Sequence, residues 1–490
     1  MAESDRAALL AAKLHSRYHP QAEAERYVTA LELKPGVDYF IVIEPGLGYL
    51  VHALKKEHPE SKAVVLHSDS CFRTSQEALL PTWYPDSAIS VQEFLENEIP
   101  ETASVHIIEW KPSVRVFGDS CLTLVRESAA FIKRAAASRR TGAAFGRKWL
   151  RNFFRNLTLL RDTVLYRAME MPIVITGSGP SLESALPQIL SCREGLFIIA
   201  ASSSVMALSA GGIAPDMVCS TDGGGWALLH LHACFRGSAA PMTAAPMTAA
   251  PMTAAPMLAM ALTAAIPSQC SALPILPMSD GSLWQSMALS AAGIPSVVIP
   301  QRGTVTASAL ELAMALTSGN IFLAGMDLSV RDIQSHSRPY GFDHLFSGSA
   351  SRFRPVYSQL FARSSDIRAG GSHDVYAAWF NSRLSSWPNR IFPLGGIHES
   401  LESRLPRLSL ATAGARRTSG VFKAQAAKSA PHRKQALLAL TTALEEGQYA
   451  EALSDELRPL LFPSQPQASA KEIADALQDT TKKLWGEASG

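Results

Sequence analysis

Three loops in the middle of the chain combine glycines with hydroxyl and carboxylate side chains where apolar runs turn into helix-forming segments. Gly177-Ser178-Gly179-Pro180-Ser181 follows the run Pro172–Thr176. Two glycines allow a backbone to approach a ligand closely, Pro180 suits a first helical turn, and a helix N-terminus offers N–H groups to an anion. A plain strand-to-helix turn explains the same spacing, because no Gly-Lys-Ser/Thr follows and the third glycine of the dinucleotide fingerprint is missing. Asp222, ahead of Gly223-Gly224-Gly225, can accept from a sugar hydroxyl, help hold a metal or cap the next segment. In "QRGTVTASALELAMAL" Gly303, Thr304 and Thr306 lie at another strand-to-helix turn, where the threonines can bind a phosphate or cap the helix. Asp327, in "IFLAGMDL", ends a further apolar run.

Those loops need a scaffold that brings them together. Apolar runs at 172–176, 196–201, 217–221, 296–300 and 320–325 alternate with helical patterns, which predicts a mostly parallel sheet covered on both faces. In such sheets ligands bind outside the carboxyl ends of the strands, so the loops share one edge. A nucleotide or nucleotide-sugar pocket there is the reading that accounts for all of them.

The flanks divide the chain further. "VDYFIVIEPGLGYLVHALKKEHPESKAVVLHSD" (37–69) is strand, glycine turn, helix and strand, and "ASVHIIEW" (103–110) adds a strand, so residues 1–130 are expected to form a small Rossmann-like domain. Only Gly46 and Gly48 of the fingerprint are present, so a purely structural turn competes with a ligand loop. Residues 131–170 read as a basic helical connector, residues 131–400 as the central α/β domain, and residues 401–490 as a C-terminal helical module. Residues 330–400 carry no clear period and read as loops over the site. The segment "PMTAAPMTAAPMTAAPM" sits in an uncharged stretch between Arg236 and Asp280 and is read as a loop insertion over 238–257. A proline every fifth residue and weakly hydrophobic Ala and Thr argue against a membrane span.

A net charge of +2 is too balanced to call for nucleic acid or a membrane surface. Six cysteines without a CxxC pair suggest neither a zinc site nor a disulfide framework, and the first twenty residues lack a signal-peptide core, so a cytoplasmic setting is expected.

The motifs "ITGSGPSLE", "GIAPDMVCSTDGG", "GTVTASALELAMAL" and "IFLAGMDLSVRDIQSHS", with "KWLRNFFRNL" upstream and "EPGLGYLVHAL" near the start, resemble the motility-associated factor (Maf) family of flagellin glycosyltransferases. Their central domain is similar to 6-hydroxymethylpterin diphosphokinase (MptE)-like proteins, and the Gly-x-Gly-Pro-Ser-Leu element resembles the nucleotide loop of bacterial sialyltransferases. The resemblance implies a central sialyltransferase-like α/β domain. It also implies transfer of a pseudaminic- or legionaminic-type nonulosonic acid from a CMP donor to Ser or Thr of flagellin. The PMTAA repeats depart from the family pattern.

For such a donor, Gly177 to Ser181 and Gly303 to Thr306 are expected to meet the phosphate, with Asp222 and Asp327 on the nucleotide side. A histidine is the natural base. His336 matches the position of the family's "HA" histidine, here "HS", whereas His373 in "GGSHD" better resembles the sialyltransferase base, and His344 lies between them. Arg302, Arg331, Arg338 and Arg352 are candidates to pair with a carboxylate or phosphate. No cofactor and no resident metal is expected. The alternatives are diphosphate transfer from ATP to a pterin alcohol, which would call for Mg²⁺ on Asp222 and Asp327, and a non-catalytic flagellin-binding or export factor.

Overall fold

The computed structural model describes residues 3–33, 36–74, 80–100, 103–160, 162–235, 256–300, 303–370, 372–383, 387, 389–398, 401, 403–413, 422–426, 432–465 and 467–485. The repeat insertion expected over 238–257 lies outside them except for Pro256 and Met257. The chain forms two compact units, Met1–Ala143 and Ala144–Gly490. No helix among the described residues is long and apolar enough to cross a membrane.

The first unit is built on a four-stranded parallel sheet in the order β3-β2-β1-β4, with β1 Tyr39–Ile43, β2 Lys62–Leu66, β3 Thr82–Trp83 and β4 Val105–Glu109. Alternate strand residues pack on opposite sides. Phe40, Val42 and Val65 join one core and Ile41, Ile43, Val64 and Leu66 the other. The glycine turn after β1 is covered by its own chain. His15 Nε2 accepts from the Leu47 N–H at 3.1 Å, and a Cβ added at Gly46 would meet that nitrogen at 2.5 Å. The turn is therefore closed by an imidazole, which favours its structural reading.

The second unit carries a ten-stranded sheet. Its order is β13-β12-β6-β7-β8-β9-β10-β5-β14, with β11 paired to β10. The strands are β5 Asp162–Tyr166, β6 Ile173–Thr176, β7 Phe197–Ala201, β8 Met217–Ser220, β9 Met257–Ala261, β10 Ile275–Ser279, β11 Val297–Val298, β12 Ile321–Ala324, β13 Ile391–Pro393 and β14 Phe422–Ala426. Every pairing is parallel except β14 with β5. From β6 the chain builds outward through β7, β8 and β9, then returns to place β12 on the other side of β6. The order thus reverses between β6 and β12, and this is where an open α/β sheet leaves a crevice at the carboxyl ends.

Both faces are buried, which is why these strands read as unbroken apolar runs. Val174, Ile198, Val218 and Leu258 face one core, and Ile175, Ile199, Met217 and Cys219 the other. The C-terminal helices His432–Glu446, Ala450–Leu461 and Ala470–Trp485 belong to the first of these cores, through Leu440, Leu457, Ile473 and Leu477. They pack on the sheet at that core. The predicted connector is different. One helix runs Asp119–Asn156, and β5 follows it inside the segment read as helical. Residues 330–400 hold the helices Asp343–Gly348, Val356–Gly370 and Ser372–Arg383. Scattered Ser, Arg and Gly hide their period.

Candidate functional site

The crevice between β6 and β12 is closed by two glycine loops pressed against each other. The Gly177 N–H donates to Ala324 O and the Gly179 N–H to Gly325 O, both at 2.8 Å. A Cβ at Gly177 would lie 2.4 Å from Gly325 O, and one at Gly179 would lie 2.0 Å from Asp327 Oδ2. The glycines are thus required by the approach of one protein loop to another.

Asp327 lies against the same loop. Its carboxylate accepts from the Ser181 N–H at 3.1 and 3.2 Å, and the Ser181 hydroxyl lies 2.7 Å from Oδ2 and 2.5 Å from Gly396 O. Asp327 therefore fills the anion position at the start of helix Leu182–Ser191 that the glycine loop was expected to offer a phosphate. Burial pushes the Asp327 carboxyl up, against the pull of the Ser181 hydrogen bonds. Pro180 lies in the turn and Ser178 faces Ser203, with their hydroxyls 3.0 Å apart. The Ser178 carbonyl accepts from Ser337 N–H at 2.7 Å.

The other expected residues are gathered at the same edge. Thr306 Oγ1 lies 3.4 Å from the position of a Cβ on Gly177. Thr304 caps helix Val305–Leu316, accepting from the Ala307 N–H at 3.0 Å, so capping is its observed role. Gly303, at φ +76°, packs under Tyr376, whose ring would sit 3.3 Å from an added Cβ. Tyr376 is raised above the ordinary phenol value by burial and by the Asp222 carboxylate, which places it between the second and third loops. Asp222 is exposed, and its Oδ1 accepts from the Gly224 N–H at 2.7 Å.

The asparagines of "KWLRNFFRNL" explain how Asp222 is held. Asn152 Nδ2 donates to Thr263 O at 2.9 Å and to Gly223 O at 3.3 Å, while Asn156 Nδ2 donates to Leu262 O and Ala264 O at 2.8 Å. The Ala265 N–H then donates to Asp222 O. Trp149 packs on Gly223, where a Cβ would meet its ring at 2.4 Å. The signal was in the sequence as Asn at i and i+4 on one helix, but the carbonyls they serve lie 71 to 111 residues away.

His336 is brought to the glycine loop by its neighbours. Ser337 bonds Ser178, and Glu183 of helix Leu182–Ser191 accepts from Gln334 Nε2 at 2.6 Å and from the Arg338 N–H at 2.7 Å. The half-buried imidazole stacks on Tyr340 at 4.1 Å, with Ser335 Oγ 2.9 Å from Nδ1. A pocket beside it is lined by His336, Arg338, Tyr340, Asp343, Phe346 and Arg363. His344 is exposed, and His373 lies on helix Ser372–Arg383 one turn before Tyr376, its side chain outside the described residues. Arg302 also lies outside them. The hydroxyls of Ser220 and Ser337, both fully buried, have no hydrogen-bond partner among the described residues. Sequence reasoning missed Tyr340, Arg363, Tyr376 and His230, because each is recruited from a segment without a recognisable pattern. Among the described residues no group of three or more His, Cys, Asp or Glu is placed to hold a metal ion.

His230 ties this pocket to Asp222. It stacks on Phe342 at 4.6 Å, and its Nε2 lies 3.4 Å from the Tyr340 hydroxyl. Burial holds its pKa down at about 4, opposed by Asp222 and reinforced by Arg363. The unfolded chain takes up this proton near 6.5 and the folded chain only at about 4, so the unfolded state binds more protons between these values. Stability is therefore expected to fall as pH drops from about 6.5 to about 4 and to be insensitive to this group above that range. Thermal melts of wild type and His230→Phe across pH 7 to 4.5 check it (a pH range spanning roughly the His interval). The variant should lose less on acidification, and an equal loss would refute the assignment.

Comparison with known proteins bears on this unit. Residues 147–332 match the family model of 6-hydroxymethylpterin diphosphokinase MptE-like proteins. An uncharacterized protein of Treponema pallidum (strain Nichols) is 29% identical over 303 residues, which are 60% of this chain and 62% of that protein. The match thus spans less than two thirds of the relative's length. A solved Maf glycosyltransferase from Magnetospirillum magneticum AMB-1 is 13% identical, with a TM-score of 0.39 over 98% of this chain and 82% of that one, and a likeness this distant carries no argument.

Proposed function

We propose, with the MptE-like stretch 147–332 as the premise, that the protein is a cytoplasmic glycosyltransferase that moves a nonulosonic acid from a CMP donor to Ser or Thr of flagellin. The observation that carries this reading is the convergence at the β6/β12 crevice of the Ser178 loop, Thr306, Asp222 with Tyr376, and the His336 pocket. The order of the motifs that resemble the Maf family supplies the sugar and the acceptor.

In the reaction the acceptor hydroxyl oxygen forms a bond to the anomeric carbon, and the bond from that carbon to the phosphate oxygen breaks. CMP leaves as a phosphate monoester. The hydroxyl proton passes to a histidine, for which His336 is assigned the role and His373 is the rival. Asp222 and Tyr376 serve the nucleoside, and Ser178 and Thr306 the phosphate.

A second reading, ATP-dependent diphosphate transfer to a pterin alcohol, takes support from the name of the matched family. It needs carboxylates for Mg²⁺, and one of the two available, Asp327, is already bonded to Ser181. A monophosphate donor asks less of the site. Intact-mass measurement of flagellin from cells with and without this protein tests the proposal. Loss of the sugar-acid increment is expected, whereas unchanged mass with motility lost would leave a binding or export factor. Turnover of ATP with 6-hydroxymethylpterin by the purified chain would establish the second reading.

A further inference from the structure

We infer that Arg363 is the receptor for a carboxylate of the substrate, in a subsite formed with Tyr340, Phe346 and His336. The inference rests on the proposed transfer of an acidic sugar and deepens it by naming the group that selects that sugar.

The half-buried Arg363 guanidinium lies over two rings, 5.9 Å from Phe342 and 5.7 Å from Phe346. It makes no ion pair and no hydrogen bond with any described residue. A cation withdrawn from water on aromatic faces gains most when an anion completes it, and the planar fork of arginine fits a planar carboxylate through two parallel bonds. The acid within the pocket is engaged, since Asp343 Oδ2 accepts from the Tyr340 N–H at 2.9 Å. The rest of the lining includes a second arginine, Arg338, and the Tyr340 ring with His336 stacked on it, a surface suited to the apolar face of a sugar ring.

The position is also right for a substrate that spans both halves of the site. His230 stacks on Phe342, the ring over which Arg363 lies, and the charges of both Asp222 and Arg363 act on it. His230 and Phe342 thus link the Asp222 loop to the Arg363 pocket, which has His336 in its lining. Asp327 occupies the helix N-terminus that a phosphate would otherwise take. The Arg363 cation, which has no ion pair among the described residues, is left for the carboxylate.

Calorimetric titration of the full chain with N-acetylneuraminic acid, its methyl ester, inorganic phosphate and CMP tests this, using wild type, Arg363→Met and Arg363→Lys. The free acid should bind wild type, the ester at least about tenfold more weakly, and Arg363→Met should weaken the acid by roughly 10- to 100-fold. Arg363→Lys, which keeps the charge and loses the fork, should fall between them, with CMP affinity retained. Equal affinity for acid and ester, absence of acid binding to wild type, or acid binding unchanged in Arg363→Met would overturn the assignment. Phosphate that displaces the acid from wild type and binds Arg363→Met poorly would mark a phosphate subsite and overturn it too. If Arg363→Met loses CMP as well, Arg363→Lys decides, and unchanged acid affinity there overturns the proposal. Failure of CMP to bind while acid and ester are still discriminated would sink the nucleotide reading and leave this subsite standing.

Discussion

Gly325→Ala is expected to lower the stability of the second unit by about 3 kcal/mol, before any ligand contact is considered. Two costs combine. Gly325 has φ +65°, where an L side chain is strained. Its new Cβ would also meet Gly177 O at 2.4 Å and Leu182 Cβ at 2.9 Å. Both obstacles belong to the chain's own backbone or the root of a side chain, so neither can swing away. For a unit of this size the loss corresponds to a fall in Tm of about 4 °C. Differential scanning calorimetry of the variant gives the number, and a Tm within a degree of wild type (well below the roughly 4 °C expected) would mean that the two loops are not pressed together as described. CMP affinity should fall in the same variant, because Gly177 precedes Ser178 and shares its loop with Ser181.

Asn156→Leu is expected to have a comparable cost through a different route. Asn156 is fully buried and its carboxamide serves Leu262 O and Ala264 O. Leucine keeps the volume and leaves both carbonyls without that donor, at roughly 1–3 kcal/mol for each. It also removes the Asn156 carbonyl oxygen, which has no partner among the described residues, and this offsets part of the loss. A net destabilisation of about 2 kcal/mol follows. The loop after β9 supports Asp222 through the Ala265 N–H, so nucleotide affinity should weaken together with stability. Urea unfolding followed by calorimetry on the folded variant separates the two effects. Nucleotide affinity equal to wild type would show that the asparagine clamp stabilises the fold without positioning Asp222.

Several elements were legible from residue patterns alone. The central strands read correctly because burial on both faces leaves them uninterrupted by polar residues, as in Ile173–Thr176 and Phe197–Ala201. The helices Ala450–Leu461 and Ala470–Trp485 read correctly because each has one apolar stripe. In the second unit, strands β5, β9, β10, β13 and β14 were missed. Ile391–Pro393 is only three residues long, and Met257–Ala261 continues the Ala and Met composition of the repeats before it. Helices Val356–Gly370 and Ser372–Arg383 lacked a stripe to find, although they bring Arg363 and Tyr376 to the site.

The site itself divides in the same way. Local sequence determined where glycines, threonines and aspartates would meet the carboxyl ends of strands, because the change from a strand pattern to a helix pattern is written within a dozen residues. It also determined that Thr304 could cap a helix. Which partner each polar group takes was decided by tertiary structure. Asp327 bonds Ser181 across 146 residues, and Asn156 serves carbonyls 106 and 108 residues away. Parallel strands require crossover connections, so neighbours at the sheet edge are distant in the chain. The glycines of "ITGSGPSLE" could be recognised as a place of close approach, but only the placement of β12 beside β6 decided that the Gly325–Asp327 loop is what approaches them.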